Sequence, residues 1–402
     1  MGRSAGGAAV VGVVGAGQLG RMLHQAAIGL GVEVRFLGEH DDDPAIAVAR
    51  SWELGSATSA DDLERFAATC DVLTFEHELV DVTAIRRLEA SGRVVHPSAA
   101  ALAAVADKLA MRHAVEAAGL PVPPWREVTA PDELAAAVAE WPACVIKLSR
   151  GGYDGRGVFL VREPGGRPHH GDDGLAVGLP LLATGVPLLV EPLLAFDAEL
   201  AVLVARRPNG DAVAYDPVAT TQVDGQCREV VAPAGIDPDL AEEARSIALE
   251  LAAALGVVGL LAVELFDVGG RLLVNELAVR PHNTAHHTID ACPTSQFEQH
   301  LRAVLDLPLG ATELHTPAAM VNVVGAADGA DPREHLAAGL AVDPAARIHL
   351  YGKRSRPDRK VGHVTVLDAD PARAARRAWA VVAALRGDVP PAMAARGARM
   401  EP

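Results

Sequence analysis

The first hundred residues alternate between short apolar runs and apolar positions at helical spacing. Residues 9–14 form an apolar run that ends at Gly15, and apolar side chains then recur at helical intervals over residues 19–30. Three more apolar runs and two helical segments follow, at residues 33–37, 72–75 and 93–95 and at residues 61–68 and 82–88. This alternation predicts a parallel, doubly wound α/β sheet.

A strand-rich pattern begins at residue 143, after an alanine-rich helix that runs to Leu109, a helix over residues 107–118 and a proline-rich linker at 121–125. Its predicted strands are residues 144–148, 158–161, 188–194, 199–205, 213–215, 260–266 and 272–276, with a helix at 240–255 and a flexible loop at 163–178. A smaller unit with a strand at 319–324 starts near residue 316. We therefore predict a Rossmann-like domain (1–100), an α+β domain (101–312) with a lid at about 125–190, and a small C-terminal domain (313–402).

Composition narrows the function classes. The chain has 402 residues, is 50% hydrophobic and carries a net charge of −16, which disfavours nucleic acid as a partner. Its four cysteines are far apart, and neither a signal peptide nor a membrane span is indicated, since Pro187 and Pro192 interrupt the most apolar later run. A cytoplasmic location is expected.

The motif GAGQLG (Gly15, Gly17, Gly20) lies between a strand and a helix, with Glu39 near the end of the second strand, as in dinucleotide-binding domains. Three interpretations remain open for this turn. It could bind NAD, bind a phosphate or the edge of another substrate, or only allow close packing of strand and helix.

A second glycine-rich motif, GGYDGRG at residues 151–157, lies between two strands and is predicted to be a flap that closes over phosphates. Lys147 precedes it in an apolar strand, where a lysine is costly to bury unless it faces an anion. Lys147 is therefore predicted to reach a phosphate of ATP. Glu191 and Glu199 flank an apolar segment that suits adenine, and their carboxylates are candidates for ribose hydroxyls.

Glu264 and Glu276 lie in two apolar strands joined by a tight turn, so their carboxylates can converge, with Asn275 beside them. Such a pair suits Mg²⁺, which takes few carboxylates plus phosphate oxygens. Arg280, His282 and Asn283 follow where a second substrate would meet the γ-phosphate. Zinc is disfavoured, because the nearby histidines have no carboxylate or cysteine at matching spacing.

A cationic cluster stands out near the end of this acidic chain. Lysines and arginines crowd residues 353–360, which is usually a solvated basic face. Here the cluster could instead bind a phosphate monoester, with arginine as a two-pronged donor.

Taken in order, the motifs GAGQLGRM, TFEHE, VIKLSRGGYDGRG, VEPLLAFDAEL, AVELF, NELAVRPHN, SQFEQHLRAV and KVGH resemble the N5-carboxyaminoimidazole ribonucleotide synthetases. These are ATP-grasp enzymes of purine biosynthesis. The resemblance covers about residues 9–370 and implies a pre-ATP-grasp domain, an ATP-grasp domain and a small C-terminal domain.

The resemblance also implies ligand contacts. ATP would contact Lys108, Lys147, Gly152, Tyr153, Asp154, Gly155, Arg156, Gly157, Glu191, Pro192, Leu193, Leu194, Glu199, Asn275 and Glu276, and Mg²⁺ would bind Glu264 and Glu276. Aminoimidazole ribonucleotide would contact Gln18, Leu19, Glu76, Tyr153, Arg156, Arg280, His282, Asn283, Lys353, Arg359 and Lys360. The catalytic residues would be Asp154, Arg280, His282 and Asn283.

Four positions depart from the family pattern. Val279 replaces a proline before Arg280, Thr284 and Ala285 replace a Ser-Gly pair, and Gln222 stands where some members have a nucleotide-contacting histidine. Val279 is expected to loosen the local backbone.

By the same resemblance, bicarbonate attacks ATP to give carboxyphosphate, which releases CO₂ beside the ribonucleotide amine, and a homodimer is implied. The alternatives are a formate-dependent glycinamide ribonucleotide transformylase, an NAD-binding oxidoreductase and a non-catalytic nucleotide sensor.

Overall fold

The computed structural model describes residues 9–151, 157–161, 173–223, 225–326 and 328–388. Its strands form three separate sheets of five, four and nine strands.

The N-terminal unit is the predicted doubly wound sheet. Its elements are β1 (Val10–Val14), α1 (Gln18–Leu30), β2 (Glu33–Gly38), β3 (Trp52–Leu54), α2 (Ala60–Ala67), β4 (Val72–Phe75), α3 (Val82–Ala90) and β5 (Val94–Val95). All neighbouring strands are parallel, in the order β3-β2-β1-β4-β5. The sequence missed β3, a three-residue edge strand with exposed Trp52 and Leu54.

Two helices lead out of this unit, α4 (Ala99–Ala106) and α5 (Lys108–Ala117). The predicted helix running to Leu109 is wrong at its end, because Asp107 has extended backbone and interrupts it. Its carboxylate accepts hydrogen bonds from the amides of Leu109 and Ala110, so it caps α5. This break places Lys108 at the first position of α5.

A small antiparallel sheet with its own core follows. It contains β6 (Arg126–Val128), β7 (Cys144–Leu148), β8 (Val158–Val161) and β9 (Leu188–Pro192), in the order β6-β9-β7-β8, with α6 (Pro131–Glu140) and α7 (Gly174–Leu182). Buried side chains such as Ile146, Val161 and Val190 form the core. The loop predicted at 163–178 is wrong over its last five residues, which begin α7, while residues 163–172 lie outside the described ranges.

The large sheet makes up most of the rest of the chain. Its first part is β10 (Ala198–Arg206), β11 (Ala212–Ala214), β12 (Val218–Val223), β13 (Gln226–Ala232), β14 (Gly259–Val268) and β15 (Arg271–Ala278), with α8 (Pro238–Ala254), α9 (Thr288–Ala291) and α10 (Gln296–Val304). The strands β12 and β13 were not predicted. Polar residues at half-buried positions of both strands hide the alternation that would mark a strand.

The C-terminal unit extends this same sheet. It comprises β16 (Ala318–Val324), α11 (Leu336–Val342), β17 (Arg347–Leu350), β18 (Lys360–Leu367) and α12 (Pro371–Leu385). Because β16 pairs with β13, the strand order is β15-β14-β10-β12-β13-β16-β18-β17. One continuous sheet face therefore runs from the predicted carboxylate pair to the predicted basic cluster. Among the described residues, no helix is long and apolar enough to cross a bilayer.

Candidate active site

Three carboxylates share one face of the large sheet. Glu264 on β14 lies directly opposite Glu276 on β15. Glu199 on β10 is two residues from Ala201, the register partner of Glu264, so strand alternation puts it on the same face. The structure thus brings together the residues predicted for metal and nucleotide.

The surroundings of these three carboxyls give them different pKa values. Burial raises the pKa of Glu264 to about 8, and the charges of Glu276 and Glu199 add to the effect. Burial also raises the pKa of Glu199, to about 7. Burial acts in the same direction on Glu276, but the charges of Lys108 and Lys147 outweigh it and lower its pKa. Lys108 Nζ donates to Glu276 Oε1 over 3.1 Å.

A β-bulge brings Asn275 to this group. Register passes from the Glu264–Glu276 pair to Leu265–Val274, which leaves Asn275 as the extra residue of β15. A bulge re-aims a side chain that regular alternation would send to the other face. Lys147 Nζ donates to Asn275 Oδ1 over 3.3 Å, which confirms that this amide lies on the site side.

The donor set fits a hard divalent cation. Two facing carboxylates beside an amide oxygen match the few protein oxygens that Mg²⁺ takes when phosphate supplies the rest. Glu264 has a pKa raised by burial and like charge, and a cation would relieve that repulsion. Within the described ranges, no three His, Cys, Asp or Glu side chains form a complete metal-ligand cluster. A cation here would therefore depend on ligand oxygens as well as protein.

Glu191 is held by two cations of the protein. It is 3% exposed, and Arg112 Nη2 donates to its Oε2 over 2.9 Å while Lys147 pairs with its Oε1. Each oxygen therefore has a partner within the protein. The contact of this carboxylate with a ribose hydroxyl stays a prediction.

Arg112 is the functional neighbour that sequence reasoning missed. This fully buried arginine on α5 also donates through Nη1 to the carbonyls of Val274 (3.2 Å) and Asn275 (2.7 Å). It therefore ties α5 to the small sheet, through Glu191, and to β15. A signal was present, because Arg112 stands between Leu109 and Val115 in the apolar stripe of the helix, where an arginine must have a buried partner.

The segment after β9 has the apolar character expected for adenine. Pro192, Leu193 and Leu194 are half-buried, and the Leu193 amide donates to the Ala143 carbonyl. Beyond them, Phe196 stacks on Phe266 with ring centroids 4.7 Å apart. Phe266 is the register partner of Glu199, so this aromatic pair borders the carboxylate face.

The segment that follows β15 contacts both the N-terminal unit and the carboxylate group. Arg280 Nε donates to Glu78 Oε2 of the N-terminal unit over 2.9 Å. The ring nitrogens of His282 contact Thr284 Oγ1 at 2.9 Å and approach Glu264 at 3.9 Å. His282 therefore lies at the edge of the carboxylate group.

Asn283 forms a reciprocal amide pair with the buried Asn322 of β16, with distances of 3.0 and 2.7 Å. Asn322 also donates to the Cys227 carbonyl over 2.9 Å. Sequence reasoning missed Asn322, although an asparagine inside the apolar strand AAMVNVV is a signal of a buried polar contact.

The family departures are accommodated locally. Thr284 keeps the hydroxyl of the serine it replaces and uses it on His282, while Ala285 is buried in a short 3₁₀ turn. Gln296 Oε1 accepts from the His282 amide, and its Nε2 donates to the His282 carbonyl, which clamps this backbone. Val279 packs into the main core. Gln222 lies on β12, beside the strand that carries Glu199.

The first glycine motif is filled by the protein's own anion. The amides of Gly17 and Gly20 donate to the two carboxylate oxygens of Glu76, the second over 2.7 Å. A Cβ added at Gly17 would lie 2.6 Å from Glu76 Oε1, so the glycine is needed for this approach. The carboxylate stands where the pyrophosphate of a dinucleotide would bind, which argues against the oxidoreductase alternative. Gln18 begins α1 beside this turn, but the Leu19 side chain is buried in the core, so only its backbone could meet a substrate.

The basic cluster divides into two groups by burial. Arg354 and Arg356 are exposed, whereas Lys353, Arg359 and Lys360 are half-buried. The charge of Lys360 lowers the pKa of Glu264, which offsets part of the effect of burial. The half-buried cations are the three that the resemblance assigned to the substrate phosphate, and at least Lys360 lies within electrostatic reach of the carboxylates.

Five predicted site residues, Gly152, Tyr153, Asp154, Gly155 and Arg156, lie outside the described residues. Gly151 and Gly157, which flank them, have φ angles of 80° and 76°. Gly157 is anchored to β7, because its carbonyl accepts from the Leu148 amide over 2.9 Å.

Comparison with known proteins agrees with this geometry. Family models described as the ribonucleotide synthetase preATP-grasp domain, the ATP-grasp domain and the phosphoribosylaminoimidazole carboxylase C-terminal domain match residues 8–106, 113–297 and 318–377. The N5-carboxyaminoimidazole ribonucleotide synthase of Mycobacterium tuberculosis is 48% identical over 380 residues, which cover 92% of this chain and 86% of that protein.

Two solved structures show the same architecture. N5-carboxyaminoimidazole ribonucleotide synthetase from Thermus thermophilus is 36% identical, with a TM-score of 0.82 over 94% of this chain and 99% of that one. The Aspergillus clavatus N5-carboxyaminoimidazole synthase, in complex with ADP and 5-aminoimidazole ribonucleotide, is 32% identical, with a TM-score of 0.83 over 94% and 98%. The comparisons thus favour this family over the formate-dependent transformylase alternative. The chain belongs to the N5-carboxyaminoimidazole ribonucleotide synthetase family of ATP-grasp ligases.

Proposed function

We propose that the chain joins bicarbonate to the exocyclic amine of 5-aminoimidazole ribonucleotide at the expense of ATP, in purine biosynthesis. The products are N5-carboxyaminoimidazole ribonucleotide, ADP and phosphate. The observation that carries this proposal is the single sheet face that joins the Glu264–Glu276 pair to the half-buried cation Lys360. One end suits a metal–nucleotide complex, and the other suits the phosphate of a second substrate.

The first step is transfer of the γ-phosphoryl group to bicarbonate, and positioning and electrostatics dominate such a step. Glu264 and Glu276 would hold Mg²⁺, which when bound neutralises phosphate oxygens. Lys147 faces the same space, since it bonds to Asn275 and its charge lowers the pKa of Glu276. It would stabilise the charge on the transferred group, with Arg280 on the acceptor side.

The second step is breakdown of carboxyphosphate to CO₂ and attack by the ribonucleotide amine. Lys353, Arg359 and Lys360 would bind the 5′-phosphate, while Gln18, the Leu19 backbone and Glu76 would approach from the N-terminal unit. The amine loses a proton in this step. His282 at the edge of the carboxylates and Asp154 of the flap are the two candidate acceptors.

A phosphate-release assay tests the proposal. ATP turnover should require both bicarbonate and aminoimidazole ribonucleotide, and ¹³C from labelled bicarbonate should appear in the product. Turnover with formate and glycinamide ribonucleotide instead would contradict it, as would hydride exchange with NAD. The homodimer, tested by light scattering, and the cytoplasmic location, tested by cell fractionation, are further predictions from the resemblance.

A further inference from the structure

Arg228 has no role in the site described so far, yet its environment is unusual. It is half-buried, its Nε is shielded from solvent, and no residue in the described ranges forms a hydrogen bond or an ion pair with its guanidinium. Every other buried or half-buried arginine in the described ranges has a carboxylate or carbonyl partner. A shielded cation without a partner is costly, and a bound anion on the reactant side would remove that cost.

The backbone at Arg228 allows its side chain to face the reactants. Register between β12 and β13 passes from Thr221–Glu229 to Gln222–Cys227, so Arg228 is the extra residue of a bulge. In the same sheet, the bulge of β15 brings Asn275 to the site. Glu229 accepts a hydrogen bond from Trp379 of α12, whereas Cys227 packs with Ala201, the register partner of Glu264, on the opposite face. A bulge can put its extra residue on the face of a neighbour, as it does for Asn275 beside Glu276, so Arg228 can share the face of Cys227.

The neighbours of Arg228 are reactant-side groups. The carbonyl of Cys227, the residue before it, accepts from Asn322, which is paired with Asn283. Gln226 Nε2 donates to the carbonyl of Asp358 in the basic loop over 3.0 Å. Arg228 is therefore placed between Asn283 and the loop that carries Lys353 and Arg359.

We infer that Arg228 binds bicarbonate, and the carboxyphosphate formed from it, beside Asn283. This inference rests on the proposed function. A guanidinium can donate two parallel hydrogen bonds to the planar carboxylate edge of bicarbonate. In the proposed function, the ribonucleotide phosphate would bind the three half-buried cations in residues 353–360 and the ATP phosphates would face Lys147, so Arg228 is assigned to bicarbonate.

Steady-state kinetics of Arg228→Gln test this assignment. The KM for bicarbonate should rise about tenfold or more, the usual cost of a charge-assisted hydrogen bond, while KM for ATP and for the ribonucleotide changes less than about threefold. Arg228→Lys, which keeps the charge, should restore part of the loss. Arg347→Gln, an exposed arginine on β17 of the same sheet, is the matched control and should behave as the unmodified chain. Arg228→Gln should fold normally, because no ion pair is broken.

A binding measurement separates this inference from the proposed function. The ¹³C line of bicarbonate should broaden on addition of the chain with Mg–ADP, and Arg228→Gln should remove the broadening. Absence of ribonucleotide-dependent turnover in the unmodified chain would refute the proposed function, but this binding result could still be read. Equal broadening by both chains, none by either, or a rise confined to the KM of the ribonucleotide would overturn the assignment of Arg228.

Discussion

Glu191 and the Glu264–Glu276 pair lie near the predicted ATP site, and their charges are balanced in opposite ways. Glu191 has a cation on each oxygen, from Arg112 and Lys147, and its pKa is lowered by these charges although burial acts to raise it. Glu264 faces Glu276 and has its pKa raised to about 8. Glu191, whose charge is balanced by two cations, has a structural role. The Glu264–Glu276 pair has too little positive charge around it and can therefore bind an added cation.

The two groups are also complementary. Arg112, Lys147 and Glu191 together carry one net positive charge, which suits a phosphate chain. The carboxylate face, with Glu199, Glu264 and Glu276, suits the metal ion that accompanies the phosphates. Lys147 belongs to both groups, since it pairs with Glu191 and bonds to Asn275 beside Glu276.

The largest expected effect is the loss of activity on changing the Glu264–Glu276 pair. Glu276→Gln should lower kcat/KM by about 10²–10³-fold, since the metal loses a ligand at the phosphoryl group. Glu264→Gln should have a similar effect on activity while the melting temperature stays equal or rises, because the cost of burying this carboxyl beside two other carboxylates is removed. Phosphate release and differential scanning calorimetry measure the two quantities. Glu298→Gln, in α10, where the carboxylate pairs with Arg302 of the same helix, should keep activity. Full activity of Glu276→Gln would refute the metal role.

Breaking the matched group should instead damage stability. Arg112→Met leaves Glu191 buried with one cation and removes two bonds to β15, so the free energy of unfolding should fall by about 3–5 kcal/mol. Urea denaturation measures this change.

A double variant distinguishes charge from packing. Glu191→Gln alone and Arg112→Met alone each break the Arg112–Glu191 pair, and Glu191→Gln also leaves Lys147 without its carboxylate partner. Arg112→Met combined with Glu191→Gln should therefore lose less stability than the sum of the two single changes. If the double variant is less stable by the full sum of the single changes, the pairing of Arg112 with Glu191 is not the source of the effect.

Proton release on binding of Mg–ADP tests whether Glu264 is a metal ligand. Glu264 is largely protonated below pH 8, and a metal ligand must be ionised, so Mg–ADP binding at pH 7 should release up to about one proton. Calorimetry in buffers of different ionisation enthalpy measures this number. In the metal-free chain the folded pKa is above the ordinary 4.5, so the free energy of unfolding falls as pH rises from about 4.5 to about 8. Both effects should disappear in Glu264→Gln.

Much of this arrangement could be predicted from the sequence. The parallel N-terminal sheet follows from its alternation of apolar runs and helical spacing, and the Glu264–Glu276 pair follows from two apolar strands joined by a tight turn. These features depend on local patterns, which is why a single sequence contains them.

The remainder depends on long-range or single-residue events. The bulges at Asn275 and Arg228 cannot be seen in the hydrophobic pattern, because the position of an extra residue depends on how two strands pair. The engagement of Glu191 by Arg112 joins residues 79 positions apart. Glu76 fills a glycine turn that has the sequence of a dinucleotide site, and only its placement reveals the difference.

The smallest expected effect concerns Glu76, a carboxylate matched by backbone amides instead of cations. Glu76→Gln keeps the shape but places an NH₂ group against an amide donor, so the free energy of unfolding should fall by about 1–2 kcal/mol with KM for ATP unchanged. Gly17→Ala should be harmful too, since its Cβ would meet Glu76, whereas Gly29→Ala in the same helix has open space and is the matched control. Thermal unfolding of the three variants measures the effect. If Glu76→Gln is as stable as the unmodified chain, the amides of the turn do not depend on a charged partner, and the contrast between matched and unmatched carboxylates would then apply only to the nucleotide site.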